Sequence, residues 1–420
     1  MRVRKTEVLV VGAGPTGLLT ALLLAEAGID VQIIDREKRT AARSYACALH
    51  GNTLKLLDRL GLAAAVLERG RRVNAIAFYD GEARRTAAWF SGLGGDFPFL
   101  VVLPQSELED ILEQRLREKS GLKVKWNHRF DGLQSEEDDS VVATVEQLEG
   151  TAMGYIAPHW ETMVKKRFPI RAQFLVGADG HNSLVRQRLG IEYELSGTAQ
   201  SFVGCEFTSA TQGEDEVRVV MDDATTNVLW PLSENRYRWT FQLIHSEAPA
   251  EFPEKERLSA PQAEKLLNDR IRANLHKLVH GRAPWFTAEI KDILWCKQAR
   301  FEQRLGKSFG RDRCWLAGDA AHQTGPVGVQ SLNAGFAEAE QLAGILTKIL
   351  HEEAPMAALE TYERERQMDW RRLLGLTGGL RAKNGSDAWV QKRSARLLSC
   401  LPASGEDLPR LAGQLGLEFA

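Results

Sequence analysis

The stretch "TEVLVVGAGPTGLLTALLLAEAGIDVQIIDRE", from Thr6 to Glu37, decides the fold of this chain. Val8–Val11 is a continuous apolar run, which is typical of a strand buried on both faces of a parallel sheet. The pattern from Pro15 to Ala27 predicts a helix, and Gly28 stands where a helix end favours a residue that tolerates positive φ. Val31–Ile34 predicts a second strand, so the stretch forms a βαβ unit.

The turn between the first strand and the helix carries three glycines, Gly12, Gly14 and Gly17, in the spacing GxGxxG. The first permits the tight turn, the second lets the backbone approach a pyrophosphate, and the third lets the helix pack closely on the strand. Asp35 closes the second strand and is placed to accept hydrogen bonds from a ribose, and Arg36 follows it. The unit predicts a dinucleotide site but leaves FAD and NAD both open; a structural turn is the weaker alternative.

A second apolar run ends in an aspartate within "FLVGADGHNSLVRQRLG", from Phe174 to Gly190. Asp179 is followed by Gly180, then by Ser183 and Arg186. Two interpretations stay open for this segment. It is either a further part of a cofactor site or an Asx turn that caps a helix.

A third strand of this kind ends in "RCWLAGDAAHQTGPVGVQSLNAG", from Arg313 to Gly335. Asp319 closes the strand, where its carboxylate could bind a polyol chain or cap a short turn. Pro326 and Gly328 leave space beside the loop for a flat ring. A helix is predicted to begin after Gly328, and its free N–H groups would stabilise negative charge on that ring.

In this order the three motifs resemble the class A flavoprotein monooxygenases, the para-hydroxybenzoate hydroxylase-like family, over roughly residues 6–370. The resemblance implies a Rossmann-like α/β FAD-binding domain, an inserted and largely antiparallel sheet that forms a substrate domain, and a C-terminal helical segment. We expect the FAD-binding domain at residues 1–71, 103–188 and 292–375. The substrate domain is expected at 72–102 and 189–291, and the helical segment at 376–420.

The same resemblance implies FAD as the cofactor and NADPH or NADH as a transient co-substrate. The implied reaction is hydroxylation of an aromatic or polycyclic small molecule with O₂, through a flavin C4a-hydroperoxide. A reductase or halogenase-like oxidoreductase of the same fold stays an alternative, as does a flavin- or ligand-binding protein without turnover. The chain lacks a second GxGxxG, a redox cysteine pair and a WxWxIP stretch, which disfavours the first two.

The resemblance also assigns individual residues. Arg43 is expected at the FAD phosphates, and Asp179 with Arg186 is linked to both FAD and nicotinamide binding. The loop that the family writes PxGGQGxNxG has Val329 and Ser331 in place of two glycines, which leaves its effect on the reaction open. The complete set of expected cofactor-binding residues is Gly12, Gly14, Gly17, Asp35, Arg36, Arg43, Gln105, Asp179, Arg186, Asp319, Pro326, Gly328, Leu332 and Asn333.

Two further hypotheses concern the substrate. His50 borders the flavin in the related proteins and could deprotonate a phenol, because a histidine pKa lies near neutrality; the alternative is a hydrogen-bonding residue at a helix start. His322 in "GDAAH" is expected to be structural. Trp230, Trp239 and Phe241 lie on the predicted substrate sheet, where they would line a pocket for a flat molecule or belong to the core.

Composition limits the remaining possibilities. Lys and Arg number 54 against 56 Asp and Glu, so a nucleic-acid partner is not expected. Five scattered cysteines without a CxxC predict a reducing compartment, no disulfide framework and no metal site. The sequence shows no signal peptide and no apolar stretch of about 18 residues, so we expect a cytoplasmic protein without integral membrane association, monomeric or homodimeric.

Overall fold

The computed structural model describes residues 4–39, 47–136, 139–153, 159–210, 215–244, 261–403, 405 and 407–420. Within these residues the α-helices, in chain order, are α1 (Pro15–Glu26), α2 (Gly51–Arg59), α3 (Ala63–Arg69), α4 (Gln105–Ser120), α5 (Leu184–Arg188), α6 (Pro261–Arg282), α7 (Gln330–Glu352), α8 (Ala358–Leu373), α9 (Ala388–Leu398) and α10 (Asp407–Gln414). The strands are β1 (Arg4–Val11), β2 (Val31–Ile34), β3 (Ala48–Leu49), β4 (Arg71–Val73), β5 (Ala75–Asp80), β6 (Ala83–Trp89), β7 (Leu100–Val102), β8 (His128–Glu136), β9 (Ser140–Met153), β10 (His159–Gly177), β11 (Tyr193–Leu195), β12 (Gln200–Thr208), β13 (Glu216–Met221), β14 (Thr226–Pro231), β15 (Arg236–Leu243), β16 (Ile293–Phe301), β17 (Arg304–Gly306), β18 (Gly310–Arg311), β19 (Cys314–Leu316), β20 (His322–Gln323), β21 (Leu380–Ala382) and β22 (Leu417–Phe419).

The first sheet contains the predicted βαβ unit. Its strand order is β18-β19-β10-β1-β2, and β1 runs parallel to both β2 and β10, which in turn runs parallel to β19. Val8, Leu9 and Val10 are completely buried, as the continuous apolar run predicts. Gly28 follows α1 with φ 83°, as expected of a helix end. Because β1, β2, β10 and β19 point the same way, their carboxyl ends meet at one edge and bring the three motifs together.

A second sheet of seven strands, in the order β16-β12-β15-β14-β13-β5-β6, confirms the expected second sheet. It is antiparallel except where β13 runs beside β5. One face packs under α6 through its own apolar cluster, and residues of the other face join the main core of the molecule. The boundary expected at residue 292 divides the chain differently from the sheet, because β16 pairs with β12 and so belongs to this second sheet.

The C-terminal segment is helical, as expected, with α9 and α10, and it also contains the pair β21–β22. Its helix α9 joins the two parts of the molecule. The Arg396 guanidinium donates at 2.7 Å to the carbonyl of Asp222, which follows β13 of the second sheet. The Gln330 side chain at the start of α7 donates to the Leu398 and Leu401 carbonyls at 3.0 and 3.1 Å.

The cysteines depart from the sequence-based expectation. Cys205 on β12 and Cys296 on β16 stand directly opposite each other and form a disulfide, so the prediction of a chain without disulfides is wrong. No local pattern marks the pair, because 91 residues separate the two cysteines. Cys47, Cys314 and Cys400 are free and buried. In the described part of the chain, no helix is long and apolar enough to cross a membrane, and no group of three or more candidate side chains could hold a metal ion.

Candidate cofactor and substrate site

A cavity of about 210 Å³ lies at the carboxyl ends of β1, β2 and β10. Five of the expected cofactor-binding residues line it together with residues of β8 and the loop after β10. These five are Gly12, Gly14, Asp35, Arg36 and Asp179. The nucleotide cavity, as we call this space, therefore brings together residues from four separate parts of the chain.

The glycines of the first turn are required by its geometry. Gly12 has φ 104°, and a Cβ atom there would lie 2.2 Å from the Ala178 carbonyl oxygen. A Cβ atom on Gly17 would lie 2.0 Å from the Gly12 carbonyl oxygen. At Gly14, by contrast, a Cβ atom would have no other atom within 4 Å, which leaves open space at the start of α1. Open space of this kind at a helix N-terminus suits a pyrophosphate group.

Asp35 connects the end of β2 to the glycine turn. Its carboxylate accepts hydrogen bonds from the Ala13 N–H at 2.6 Å and the Glu37 N–H at 2.8 Å. Each carboxylate oxygen keeps further acceptor capacity for hydroxyl donors in the nucleotide cavity. Arg36 is largely exposed and pairs with Glu37 at 3.3 Å, so it lines the rim of the cavity.

Asp179 makes the contacts of a helix cap. It accepts hydrogen bonds from the Ser183 hydroxyl at 2.5 Å and from the N–H groups of Leu184 and Val185 at 2.7 and 3.2 Å. Burial raises the pKa of its carboxyl group, and these hydrogen bonds oppose the rise. The Asx-turn interpretation of this segment thus describes its contacts, while Asp179 also contributes to the wall of the nucleotide cavity.

Arg186 lies behind the cavities and lines neither of them. The residue is only 5 % exposed, and its guanidinium donates to the carbonyls of His181 and Ala320, both at 2.8 Å. It also stacks over the Tyr193 ring at 3.7 Å. These contacts tie the loop after β10 to the loop after β19, and the cofactor contact expected of Arg186 stays a prediction.

A second cavity of about 450 Å³ adjoins the first and shares Gly14, Ala178 and Gly180 with it. We call it the flavin cavity. Predicted residues from two distant parts of the sequence line it, as do several that the motifs did not indicate. Besides the shared Gly14, the predicted cofactor-binding residues are Gln105, Asp319, Pro326 and Leu332. Val329 and Ser331, which stand where the family has glycines, also line the cavity, and the residues that the motifs missed include Thr16, His181, Lys297, Ala299, Phe301 and Thr324.

Asp319 is held by a buried scaffold at the end of β19. Its side chain is open to the flavin cavity, although the surrounding protein removes enough water to raise the pKa of its carboxyl group. Glu338 on α7 accepts hydrogen bonds from the Gly318 N–H and His322 Nε2, both at 2.8 Å. The Trp370 ring stacks on His322 at 3.7 Å. Through its contacts with Glu338 and Trp370, His322 thus stabilises the turn that carries Asp319.

The flavin loop, residues 324–333, is held by Asn333. Its side-chain oxygen accepts from the His50 N–H at 2.8 Å and the Thr53 hydroxyl at 2.7 Å. Its amide nitrogen donates to the carbonyls of Ala48 and Val329 at 3.0 and 2.9 Å. Asn333 therefore uses its full hydrogen-bonding capacity on protein and positions the loop.

Gly328 in the same loop has the C-terminal segment against it. A Cβ atom at this position would lie 2.7 Å from the Ser399 carbonyl oxygen, so no larger residue fits without displacing that segment. As the sequence predicted, a helix begins after Gly328, with Val329 as the residue before α7.

His50 precedes α2 and is only 1 % exposed. Neither ring nitrogen completes a hydrogen bond within the described structure, and the residue does not line the flavin cavity. Burial lowers the pKa of His50 to about 3, an effect that the nearby Gly328 carbonyl opposes in part. A base with so low a pKa is weak. His50 does stand directly before α2, but its ring makes no cap hydrogen bond there, so the contacts support neither the base nor the hydrogen bond of the helix-start alternative. Arg43 lies outside the described residues.

The three aromatic residues proposed for a substrate pocket divide between the two faces of the second sheet. Trp239 and Phe241 share an apolar cluster with α6, and Trp239 meets Phe286, just after that helix, edge-on at 5.8 Å. Trp230 stands opposite Arg238 on the other face and belongs to the main core. None of the three lines the flavin cavity; β16 supplies its sheet wall instead through Lys297, Ala299 and Phe301.

A buried ion pair on that same face was not predicted. Arg238 donates to Glu206 at 2.9 Å, and Trp295 Nε1 donates to the same carboxylate at 3.2 Å. The two charged residues come from β12 and β15, 32 positions apart, and only the strand register brings them together. The alternation of apolar and polar residues along these strands predicts a half-buried face, but it does not predict the ion pair.

The described residues fit FAD. Two adjoining cavities suit the two halves of a long dinucleotide, with open backbone at Gly14 between them. A carboxylate stands at each cavity, Asp35 for one polyol and Asp319 for the other. The start of α7 adjoins the flavin cavity, where its free N–H groups suit a ring that accepts electrons.

Comparison with known proteins agrees with this geometry. The sequence profile of a family described as "FAD binding domain" matches residues 5–375. Para-nitrophenol 4-monooxygenase of a Pseudomonas species is 28 % identical over 86 % of this chain and 82 % of its own length. Pentachlorophenol 4-monooxygenase of Sphingobium chlorophenolicum is 26 % identical over 86 % of this chain, which spans only 61 % of that protein.

Solved structures show the same fold. The crystal structure of p-nitrophenol 4-monooxygenase from Pseudomonas putida has a TM-score of 0.71 at 22 % identity, covering 96 % of this chain and 91 % of that one. Aklavinone-11 hydroxylase, solved in a ternary complex with FAD and aklavinone, has a TM-score of 0.70 at 23 % identity. That comparison covers 98 % of this chain and 73 % of the hydroxylase.

Proposed function

Because this chain belongs to the FAD-binding family of class A flavoprotein monooxygenases, we propose that it uses NAD(P)H and O₂ to hydroxylate an aromatic small molecule. The observation that carries the proposal is the pair of adjoining cavities, whose larger member is closed on one side by a strand of the second sheet. This arrangement supports the proposal, because a ligand held against the sheet would lie next to the ring end of a bound FAD.

FAD, when bound, supplies the redox chemistry and the activation of O₂. The chain holds and orients it. The glycine turn and Asp35 receive the ADP half, Asp319 receives the ribityl chain, and the start of α7 favours negative charge on the ring. Asn333, Arg186 and the His322–Glu338 pair keep these loops in place.

The sheet wall of the flavin cavity suits a flat phenol. Ala299 and Phe301 offer apolar contact, while Lys297 adds a cation on the same strand. The named relatives act on para-nitrophenol and pentachlorophenol, both acidic phenols. A phenol is a better acceptor of electrophilic oxygen once deprotonated, and a cation at the cavity wall favours the phenolate. We therefore propose phenols as the substrate class.

The setting of the reaction is part of the proposal. We infer action in the cytoplasm, where NAD(P)H is available, by a monomer or homodimer. The Cys205–Cys296 disulfide argues in the other direction, because the cytoplasm keeps most thiols reduced. Thiol counting on protein trapped with an alkylating agent inside intact cells decides between the two.

The experiment that tests the function is turnover under ¹⁸O₂ with a panel of phenols that includes para-nitrophenol. We expect phenol-stimulated oxidation of NADH or NADPH and one labelled oxygen atom in the product. Asp319→Ala serves as the internal comparison, and we expect it to bind FAD more weakly because the loss of a charge-assisted hydrogen bond costs about 1.5–3 kcal/mol. FAD binding with no phenol-stimulated oxidation would identify a flavin-binding protein without turnover, and oxidation without labelled product would identify a reductase or oxidase.

A further inference from the structure

Val329, the residue before α7, has a left-handed backbone with φ 50° and ψ 37°. A β-branched side chain is disfavoured in this conformation because Cβ and its branches crowd the neighbouring carbonyl. Among the described non-glycine residues with positive φ, Val329 is the only β-branched one; the others are Asn, Asp and Glu. Glycine, which the resembling loops have at this position, adopts the conformation without strain.

The surrounding contacts force this conformation on Val329. The Asn333 side chain donates to its carbonyl at 2.9 Å, and Gln330 is bonded to the Leu398 and Leu401 carbonyls. The Ser331 hydroxyl accepts a hydrogen bond from the Thr324 N–H at 3.2 Å and closes the loop from the other side. Strain of this kind persists only where such contacts over-determine the backbone, and it concentrates at ligand sites.

The position of Val329 differs from that of its neighbour Val327 in one respect. Both are 4 % exposed and both belong to the main apolar core. Val329 also lines the flavin cavity, next to Pro326 and Leu332, whereas Val327 does not. Val327 has no positive φ either. A valine can therefore pack into the core from this loop without a strained backbone, as Val327 does. The strain is found at Val329, which also lines the flavin cavity.

We propose that Val329 is a positioning residue for FAD. Its side chain fills part of the cavity wall that glycine would leave open, and it thereby holds the flavin ring in one place. The backbone strain is retained because the packing against the ring requires a side chain at this point of the loop. The proposal depends on FAD binding and not on hydroxylation, so binding measurements test it separately from the proposed function.

The test compares Val329→Gly and Val329→Ala with the matched control Val327→Ala. Apoprotein is titrated with FAD, the anisotropy of the bound flavin is measured, and the apoprotein is melted without FAD. We expect Val329→Gly to raise the Kd for FAD roughly tenfold, equivalent to about 1.4 kcal/mol, and to lower the anisotropy. Its apoprotein should melt within about 4 °C of the wild type or above it, because relief of strain offsets the lost packing. Val327→Ala should lower the melting temperature and leave the Kd unchanged.

Two results would overturn the proposal. One is an unchanged Kd and anisotropy in both Val329 variants. The other is an equal rise in Kd for Val327→Ala and Val329→Ala at an equal loss of melting temperature, which would make Val329 an ordinary core residue. Loss of hydroxylation in all proteins, with the expected pattern of Kd values, would contradict the proposed function and leave this inference standing.

Discussion

At the scale of single residues, the same residue type serves different purposes in this site. Asp35, Asp179 and Asp319 all border a cavity, but the carboxylate of Asp179 also caps α5 through the Leu184 N–H. His322 is paired with Glu338, but His50 is buried without a hydrogen bond to either ring nitrogen in the described structure. The role of each side chain depends on the residues that surround it in the fold, and a sequence motif does not specify those residues.

The buried His50 gives the protein a pH dependence of known sign. The pKa is about 3 in the folded protein and 6.5 in the unfolded chain, so between these values only the unfolded chain takes up a proton. Stability from this group is complete above pH 6.5 and falls by about 1.4 kcal/mol per pH unit below it. We expect His50→Leu to show a shallower loss of unfolding free energy between about pH 6.5 and 5 in urea titrations. An equally steep loss in the variant would show that His50 is protonated, or solvated, in the folded state.

At the scale of elements, the site depends on loops that are held together across the sheet. Arg186 of α5 ties the loop after β10 to the loop after β19, and Asn333 of α7 ties the flavin loop to β3. Helix α9 joins the start of α7 to the second sheet. Displacement of any of these elements would therefore change the arrangement of the loops that line the flavin cavity.

Arg186→Ala tests whether this arginine is structural or binds nicotinamide. Two charge-assisted hydrogen bonds to backbone carbonyls are lost, so we expect the unfolding free energy to fall by about 3 kcal/mol and FAD to bind more weakly. Arg188→Ala on the same helix is the control, since Arg188 is exposed and bonds only to the Asp131 carbonyl among the contacts described; a change within about 0.5 kcal/mol is expected there. Unchanged stability with slower anaerobic reduction by NAD(P)H would instead support the nicotinamide role.

At the scale of the whole molecule, the second sheet contributes to the flavin cavity as well as to the main apolar core. Its edge strand β16 forms a wall of the flavin cavity, and the same strand is covalently joined to β12 through Cys205–Cys296. The disulfide thus stabilises the strand that carries Lys297, Ala299 and Phe301. Buried residues of other strands in the second sheet belong to the main core, which this sheet shares with the cofactor domain.

The disulfide gives a prediction for the intact protein. Of five cysteines, three are free, so denatured protein should release three thiols before reduction and five after it. Closing a loop of 91 residues constrains the unfolded chain by roughly 4–5 kcal/mol in the loop-entropy account. We expect a reductant, or Cys205→Ser, to lower the urea midpoint, with Cys314→Ser as the control. Five thiols in protein purified without reductant would contradict the disulfide.

The sequence by itself determined the βαβ unit, the glycine turn, the acidic residue after β2, the start of α7 and the family with its cofactor. These features are local: a tight turn, a buried strand and a helix start each impose requirements that a few consecutive residues must satisfy. The tertiary structure alone decided that β16 forms the cavity wall, that Trp230 and Trp239 face opposite ways, that Arg186 holds two loops, and that Cys205 meets Cys296. The cavity wall and the disulfide depend on the register between β12 and β16, which lie far apart in the chain, and the contacts of Arg186 depend on the approach of two distant loops. A shift of one residue in that register reverses every side chain, and no short stretch of sequence records it.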